Sequence, residues 1–372
     1  MKMKLLSLAG AISIATAVAV PAAQAGTVKA ETSFGAGHPM ATIVYPKFDE
    51  KIREFTDGKW KLRDSKGSLL KPPEMNKGLK DGVVDVGVLI LPYFAADYPE
   101  SGLVGELSVL GSDNRAISAA VSEYIATCDE CQAEFAKNGQ VYFGSDATTP
   151  YNLITTKPVR SADDLKGLRI RSAGSVYTRF ITELGGEAVS MPSSQAFEAM
   201  SSGVLDGTLG STAELKATRL ADVAKYVTRV RLSVFNAAAN TNMSQKFWSG
   251  LTTEERQQMV HASQYANAYA AQGWINTREA SLGLAKDNNI EFIQPDAKFQ
   301  AQVDAFKKSH VAGVAKTLAD RGVSNPEPKI ARYTALVEKW HKLIQTVKTP
   351  EELAELRYNE IFAKLDMSKY GN

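Results

Sequence analysis

The sequence predicts an α/β fold in two lobes of similar plan, with one long helix able to run along both. Three observations predict it. Short apolar segments alternate with helix-spaced segments from Val28 onward. A Gly-Val-x-Asp pattern, set between a helix and a strand, occurs at Gly82–Asp85 and again at Gly203–Asp206. After Thr252 a helical pattern runs to about Asn288 without proline, and its glycines, Gly273 and Gly283, lie well apart.

In chain order the first feature is a leader. Lys2 and Lys4 precede an uncharged apolar run from Leu5 to Val20. Ala23-Gln24-Ala25 then puts small residues at the two positions a signal peptidase reads. This is the order of a cleaved secretory signal, and the run is too short to span a membrane. The expected signal peptide is 1–25, with a mature start at Gly26 in the periplasm.

Val28 to Ser33 reads as a short strand and Gly35 to Pro39 as a turn. From Ala41 to Phe55 the spacing is helical, with Ile43, Phe48 and Ile52 on one side. Asp57-Gly58 turns the chain into a strand that begins with Trp60 and Leu62. Pro72-Pro73 starts a helix at Glu74 that ends near Gly82. Val83 to Leu91 is a nearly continuous apolar strand, of the kind buried on both faces of a parallel sheet. Ser161 with Asp164 caps a helix that Gly167 stops. Leu168-Arg169-Ile170-Arg171 alternates as a strand does. Ser175 to Leu184 is a helix closed by Gly185-Gly186, and Val189 and Met191 form a short strand. Ser194 caps a helix through Met200 that ends at Gly203. Thr252 with Glu255 is a capping box for a helix of up to roughly ten turns. Ile330 to Val347 is a further helix. Thr349-Pro350-Glu351-Glu352 opens the last one, with an N-cap, a proline at N1 and acid in the first turn.

Charge narrows the function classes. Without Lys2 and Lys4 the basic count falls from 43 to match the 41 acidic residues. A chain of zero formal charge is not built for nucleic acid or anionic lipid, which call for a basic surplus. The mature length exceeds one ordinary core, so two domains are expected.

Enzyme signatures are missing: no Gly-x-Ser-x-Gly elbow, no His-Glu-x-x-His, no phosphate-binding glycine loop and no dinucleotide fingerprint. His38, His261, His310 and His341 are scattered, and the last three fall in predicted helices among polar neighbours, where a solvated histidine is expected. Asp163-Asp164 and Glu351-Glu352 sit at helix starts, where they favour the dipole. No metal or cofactor is implied, since two thiols with no histidine nearby cannot build a zinc site. Cys128 and Cys131 are three apart in a helical segment, close enough for a local disulfide in an oxidising compartment. A redox pair is the alternative, but such pairs follow a strand, and here Ala116 to Ala126 precedes as helix.

Arg171 is the most informative residue. It ends a predicted strand, on the face opposite Leu168 and Ile170, and runs into Ser172-Ala173-Gly174-Ser175 and a helix N-terminus. That is where α/β folds bind ligands, and a guanidinium there can hold a carboxylate through two hydrogen bonds. A surface arginine in an ion pair would read the same way.

The stretch Leu165-Lys166-Gly167-Leu168-Arg169-Ile170-Arg171 tips this balance. With Met191-Pro192-Ser193-Ser194-Gln195-Ala196-Phe197 and Gly203-Val204-Leu205-Asp206-Gly207, it resembles the DctP-type substrate-binding subunits of tripartite ATP-independent periplasmic (TRAP) transporters. Gly37-His38-Pro39, Gly82-Val83-Val84-Asp85-Val86-Gly87 and Tyr93 to Glu100 extend the resemblance upstream, in the same order.

The resemblance implies a two-lobed periplasmic binding protein with a ligand cleft between lobes. It implies lobe I at 26–148 with about 237–268, lobe II at 149–236 with about 269–345, and a C-terminal helix at 346–372. It implies that Arg171 holds a substrate carboxylate, with Ser33, Ile90, Tyr93, Tyr151, Ser193 and Phe235 facing the cleft. It also implies delivery of a small organic anion to a small and a large integral membrane subunit driven by an ion gradient. The sequence departs from the family after Gly207, where many members carry Glu-Asn-Pro and this chain has Leu209-Gly210-Ser211. Ser211 can replace the asparagine's hydrogen bond. A second arginine found in some members near Tyr151-Asn152 is absent, which favours a monoacid, an aromatic acid or a zwitterion over a C4-dicarboxylate. The protein is expected to be a monomer. A periplasmic enzyme on a two-lobed scaffold and a ligand-presenting sensor are the alternative functions.

Overall fold

The computed structural model describes residues 26–372, so the expected signal peptide lies outside the described residues. The first strands are β1 (Gly26–Glu31), β2 (Trp60–Asp64), β3 (Val86–Ile90) and β4 (Gln140–Val141). Next come β5 (Tyr151–Thr155), β6 (Arg169–Ser172), β7 (Glu187–Ser190), β8 (Gly207–Ser211) and β9 (Tyr226–Thr228). β10 (Ala238–Ser244) and β11 (Glu291–Ile293) complete the series.

They form two sheets, ordered β2-β1-β3-β10-β4 and β11-β9-β5-β8-β6-β7. β1 pairs parallel with β2 and β3, and β10 runs antiparallel to β3 and β4. In the second sheet β6 is parallel to β7 and β8, while β5 is antiparallel to β8 and β9. The chain therefore crosses between sheets after β4, after β9, and again before β11. The result is the expected two-lobed α/β architecture.

The Gly-Val-x-Asp repeat is structural. Gly82 and Gly203 both take a left-handed conformation, at φ 74° and 71°, which costs glycine little. Each following aspartate then locks its turn to the neighbouring parallel strand. Asp85 accepts the Lys29 backbone N–H at 2.8 Å, and Asp206 accepts that of Arg169 at 3.0 Å. The backbone N–H of each aspartate bonds back to the carbonyl of the same residue. β1 and β3 of one lobe thus correspond to β6 and β8 of the other. This register makes Glu31 the counterpart of Arg171, as their pairings to Gly87 and Thr208 show. The expected strand from Val83 is shorter than expected: Val83 stays in the turn, exposed, and β3 begins at Val86.

The long helix spans Thr253–Asp287, capped by Thr252 and Glu255 as its sequence predicts. It packs on helices Tyr45–Phe55 and Pro350–Glu360 on the side of the first sheet, and on the short helix Glu214–Ala217 on the other. A 24-residue helix spans Ala297–Asp320, where the sequence predicts a helix around His310 but not its bounds. Its signals are nevertheless present. The Asp296 carboxylate caps it through the Phe299 N–H, and Phe299, Val303, Phe306, Val314 and Leu318 form its buried stripe. His310 lies on the same stripe. Far from being solvated, it is buried against Arg179 and the Glu106 carbonyl. Helix Pro326–Leu343 packs on Asn114–Ala126, where Lys339 and Trp340 both bond to Glu123, and also meets helix Ala297–Asp320.

Cys128 and Cys131 are bridged, with Cα atoms 5.2 Å apart. They do not lie inside one helix. The preceding helix stops at Ala126, and Cys128 is the N-cap of Asp129–Lys137, its sulfur accepting from the Cys131 N–H. So short a loop restricts the unfolded chain little, and serine is itself a good N-cap. The double variant Cys128→Ser/Cys131→Ser should lose less than about 2–3 kcal/mol in urea unfolding and keep ligand binding. A folded variant that no longer binds would contradict a purely structural role.

Candidate ligand-binding site

A cavity opens between the lobes, lined by residues of both sheets and of the long helix. Ile90 ends β3 and Ala238 begins β10 on one side; Tyr151 of β5 and Arg171 of β6 lie on the other. The strands thus bring their ends to the cleft, as open α/β sheets do at binding sites.

Arg171 is only 1% exposed. Its Nε donates to the Met191 carbonyl at 2.8 Å, just past β7, and Nη2 reaches the Tyr93 hydroxyl at 3.5 Å. The second contact crosses the cleft, because Tyr93 follows β3. Nη1 has no hydrogen-bond partner. A buried donor left unpaired is costly, so one arm of a fixed, charged fork is held ready for an acceptor.

The walls are aromatic. Tyr151 and Phe235 stack with ring centres 6.2 Å apart, backed by Tyr177 from behind the wall. Phe34 stacks on His38 at 4.1 Å, and Trp274 meets the His38 ring edge-on. Burial holds His38 neutral, with its pKa lowered to about 3. Trp274 also donates to the Asp146 carboxylate at 2.7 Å, and burial raises the pKa of that acid.

Of the residues predicted from sequence, Arg171, Ser193, Phe235, Tyr151, Tyr93 and Ile90 line this one cavity. Ser33 and Ser211 do not. Ser33 stands at φ 59° with its N–H on Glu31, and it is the next residue, Phe34, that faces the cavity. The Ser211 hydroxyl lies 2.6 Å from that of Thr149 and accepts the Ala213 N–H, so its hydrogen bonds are made locally. Its expected place in the wall is taken by Glu214.

A second cavity lies beyond Ala173 and Phe235. Its charged residues are already matched, Arg321 to Glu106 at 2.7 Å. Of these two cavities, the one that holds a cation without an ion pair is at Arg171.

The profile of the bacterial extracellular solute-binding proteins, family 7 (DctP), matches residues 31–316. The chain belongs to this family. Among its relatives, a protein of Chromohalobacter salexigens named "solute-binding protein" is 26% identical over 176 residues, 45% of this chain and 51% of the relative. That alignment therefore spans about half of the relative's length. Among solved structures, a TRAP solute-binding protein from a marine metagenome, specific for aromatic acid ligands and holding metahydroxyphenylacetate, superposes with a TM-score of 0.75. It is 21% identical, and the match covers 84% of this chain and 99% of that one. A TRAP periplasmic solute-binding protein from Bordetella bronchiseptica with bound (R)- and (S)-mandelate gives 0.74 at 19% identity, over 84% and 99%. At these identities the likeness shows the fold, which this family 7 chain shares.

Sequence reasoning missed Asp146, Asn240, Trp274 and Glu214, all of which line the family 7 cavity. Glu214 had a local signal. Gly210 lies inside β8, and a glycine in a strand marks a close approach. A Cβ at Gly210 would stand 2.7 Å from the Glu214 Oε1.

Proposed function

We propose that this chain is the periplasmic receptor of a TRAP-type transporter. It captures a small organic acid with one carboxylate and an apolar, aromatic body, and delivers it to a small and a large integral membrane subunit. The observation that carries this reading is the free Nη1 of Arg171, buried at the wall of an aromatic cavity between two lobes. A guanidinium anchored at Nε by a backbone carbonyl presents its remaining donors in one plane, which suits a carboxylate. The single arginine argues against a C4-dicarboxylate. The aromatic monoacids held by the metagenome and Bordetella proteins support the same class.

We read the protein as a binder rather than an enzyme, acting as a monomer after export through the 1–25 leader. Protein recovered from the native periplasm should have the mass of a chain beginning at Gly26. On that material, aromatic monocarboxylates should raise the melting temperature, and succinate and malate should not. A ligand at ~100 times its dissociation constant adds ~2.7 kcal/mol to stability. A screen in which no carboxylate raises the melting point would sink the reading.

A further inference from the structure

The cavity carries a second buried ionisable group with an unsatisfied oxygen. Glu214 is 4% exposed, lines the cavity, and its Oε2 has no hydrogen-bond partner. Burial raises its pKa, the nearby Arg171 guanidinium offsets part of that rise, and no ion pair joins the two among the described residues. One wall thus holds a guanidinium arm with no acceptor, and another holds a carboxylate oxygen with no donor. Buried polar atoms in native proteins are almost always satisfied, and a ligand that meets both at once would satisfy them.

The groups around them say what sort of ligand that is. Beside Arg171 the cavity contains two carboxylates, Glu214 and Asp146, and the neutral His38 adds no positive charge. A simple monoacid would match the arginine and leave the Glu214 Oε2 without a donor. The remaining walls, Phe34, Tyr93, Tyr151, Phe235 and Trp274, offer π-faces, which attract ammonium groups as well as aromatic bodies. Asp146 already receives the Trp274 N–H, so Glu214 is the less satisfied of the two acids.

We propose that the ligand is zwitterionic, its carboxylate on Arg171 and a protonated nitrogen on Glu214. This rests on the cavity being the solute site and narrows the acid class proposed above. Glu214 then sets specificity, by admitting a cationic substituent that an apolar wall would reject.

Two matched pairs test it: 3-(aminomethyl)benzoate against 3-methylbenzoate, and phenylalanine against 3-phenylpropanoate. Each pair differs by one ammonium group. Titration calorimetry of the mature wild-type chain should show the ammonium member of at least one pair binding about tenfold tighter or more, as one charged hydrogen bond provides. Glu214→Gln keeps the shape and removes the charge, and should bring the two members of that pair within about threefold of each other. Arg171→Ala should weaken both members alike, which separates failure of the anchor from failure of the second contact. Equal or tighter binding of the uncharged acids by the wild type overturns the proposal. So does an ammonium preference that survives Glu214→Gln, and so does the binding of aromatic monoacids in the broader screen while neither ammonium acid binds.

Discussion

Arg171→Ala should weaken binding of the carboxylate ligand by about 30-fold to several-thousand-fold. Truncating one side of a buried, hydrogen-bonded charge pair costs ~2–5 kcal/mol, at ~1.4 kcal/mol per decade. Arg171 is buried and lines the cavity, its Nε is fixed on the Met191 carbonyl, and its Nη1 has no partner. Arg171→Lys should not restore affinity. An ammonium cannot hold the Met191 carbonyl and present a planar pair of donors together. The control is Arg169→Ala. Arg169 is two residues away on the same strand, but it is partly exposed and is engaged by Asp206 and the Gly203 carbonyl. Its removal should leave affinity within about threefold of the parent. Calorimetric titration of the three variants decides. Near-parental binding by Arg171→Ala, or failure of Arg169→Ala instead, would put the anchor elsewhere.

Arg357→Ala is expected to cost about 3–5 kcal/mol of stability. Arg357 is fully buried and comes from the C-terminal helix Pro350–Glu360. Its guanidinium donates to Gln264 on the long helix, to Ser118 and Ser122 on Asn114–Ala126, and to the Ser145 carbonyl. Burial lowers its pKa to about 10, so it remains charged at neutral pH. Alanine would leave a cavity and four acceptors without their donor. Arg357→Lys retains the charge but reaches fewer of these acceptors, and should fall between. Urea unfolding should show a lower midpoint at unchanged slope. A loss under about 1 kcal/mol would mean that water or repacking replaces the network.

The fold was legible where local signals agree with tertiary packing. Thr252 with Glu255, and Thr349 with Pro350, mark helix starts that the structure keeps, because caps are settled within one turn. Arg171 was legible because strand end, glycine turn and helix start are consecutive in the chain. Ser211 was misplaced for the opposite reason. Which of Ser211 and Glu214 reaches the cavity depends on Thr149, which lies on a different segment and takes the serine's hydroxyl. His310 was misread because its helix is polar in composition, and burial comes from Arg179 and Glu106, far away in sequence. For helix Pro326–Leu343 nothing local names the partner helix, Asn114–Ala126, on which it packs.

Gly210 has a consequence for how such a receptor can change over evolutionary time. A Cβ at 210 would stand 2.7 Å from the Glu214 Oε1, so any side chain there requires the carboxylate to swing aside. Positions 210 and 214 are therefore coupled. A lineage that acquires alanine at 210 moves the acid without touching its codon, and glycine at 210 leaves the acid its present seat. Among homologous chains the two positions should co-vary, and a glycine at 210 marks those able to seat an acid in this wall.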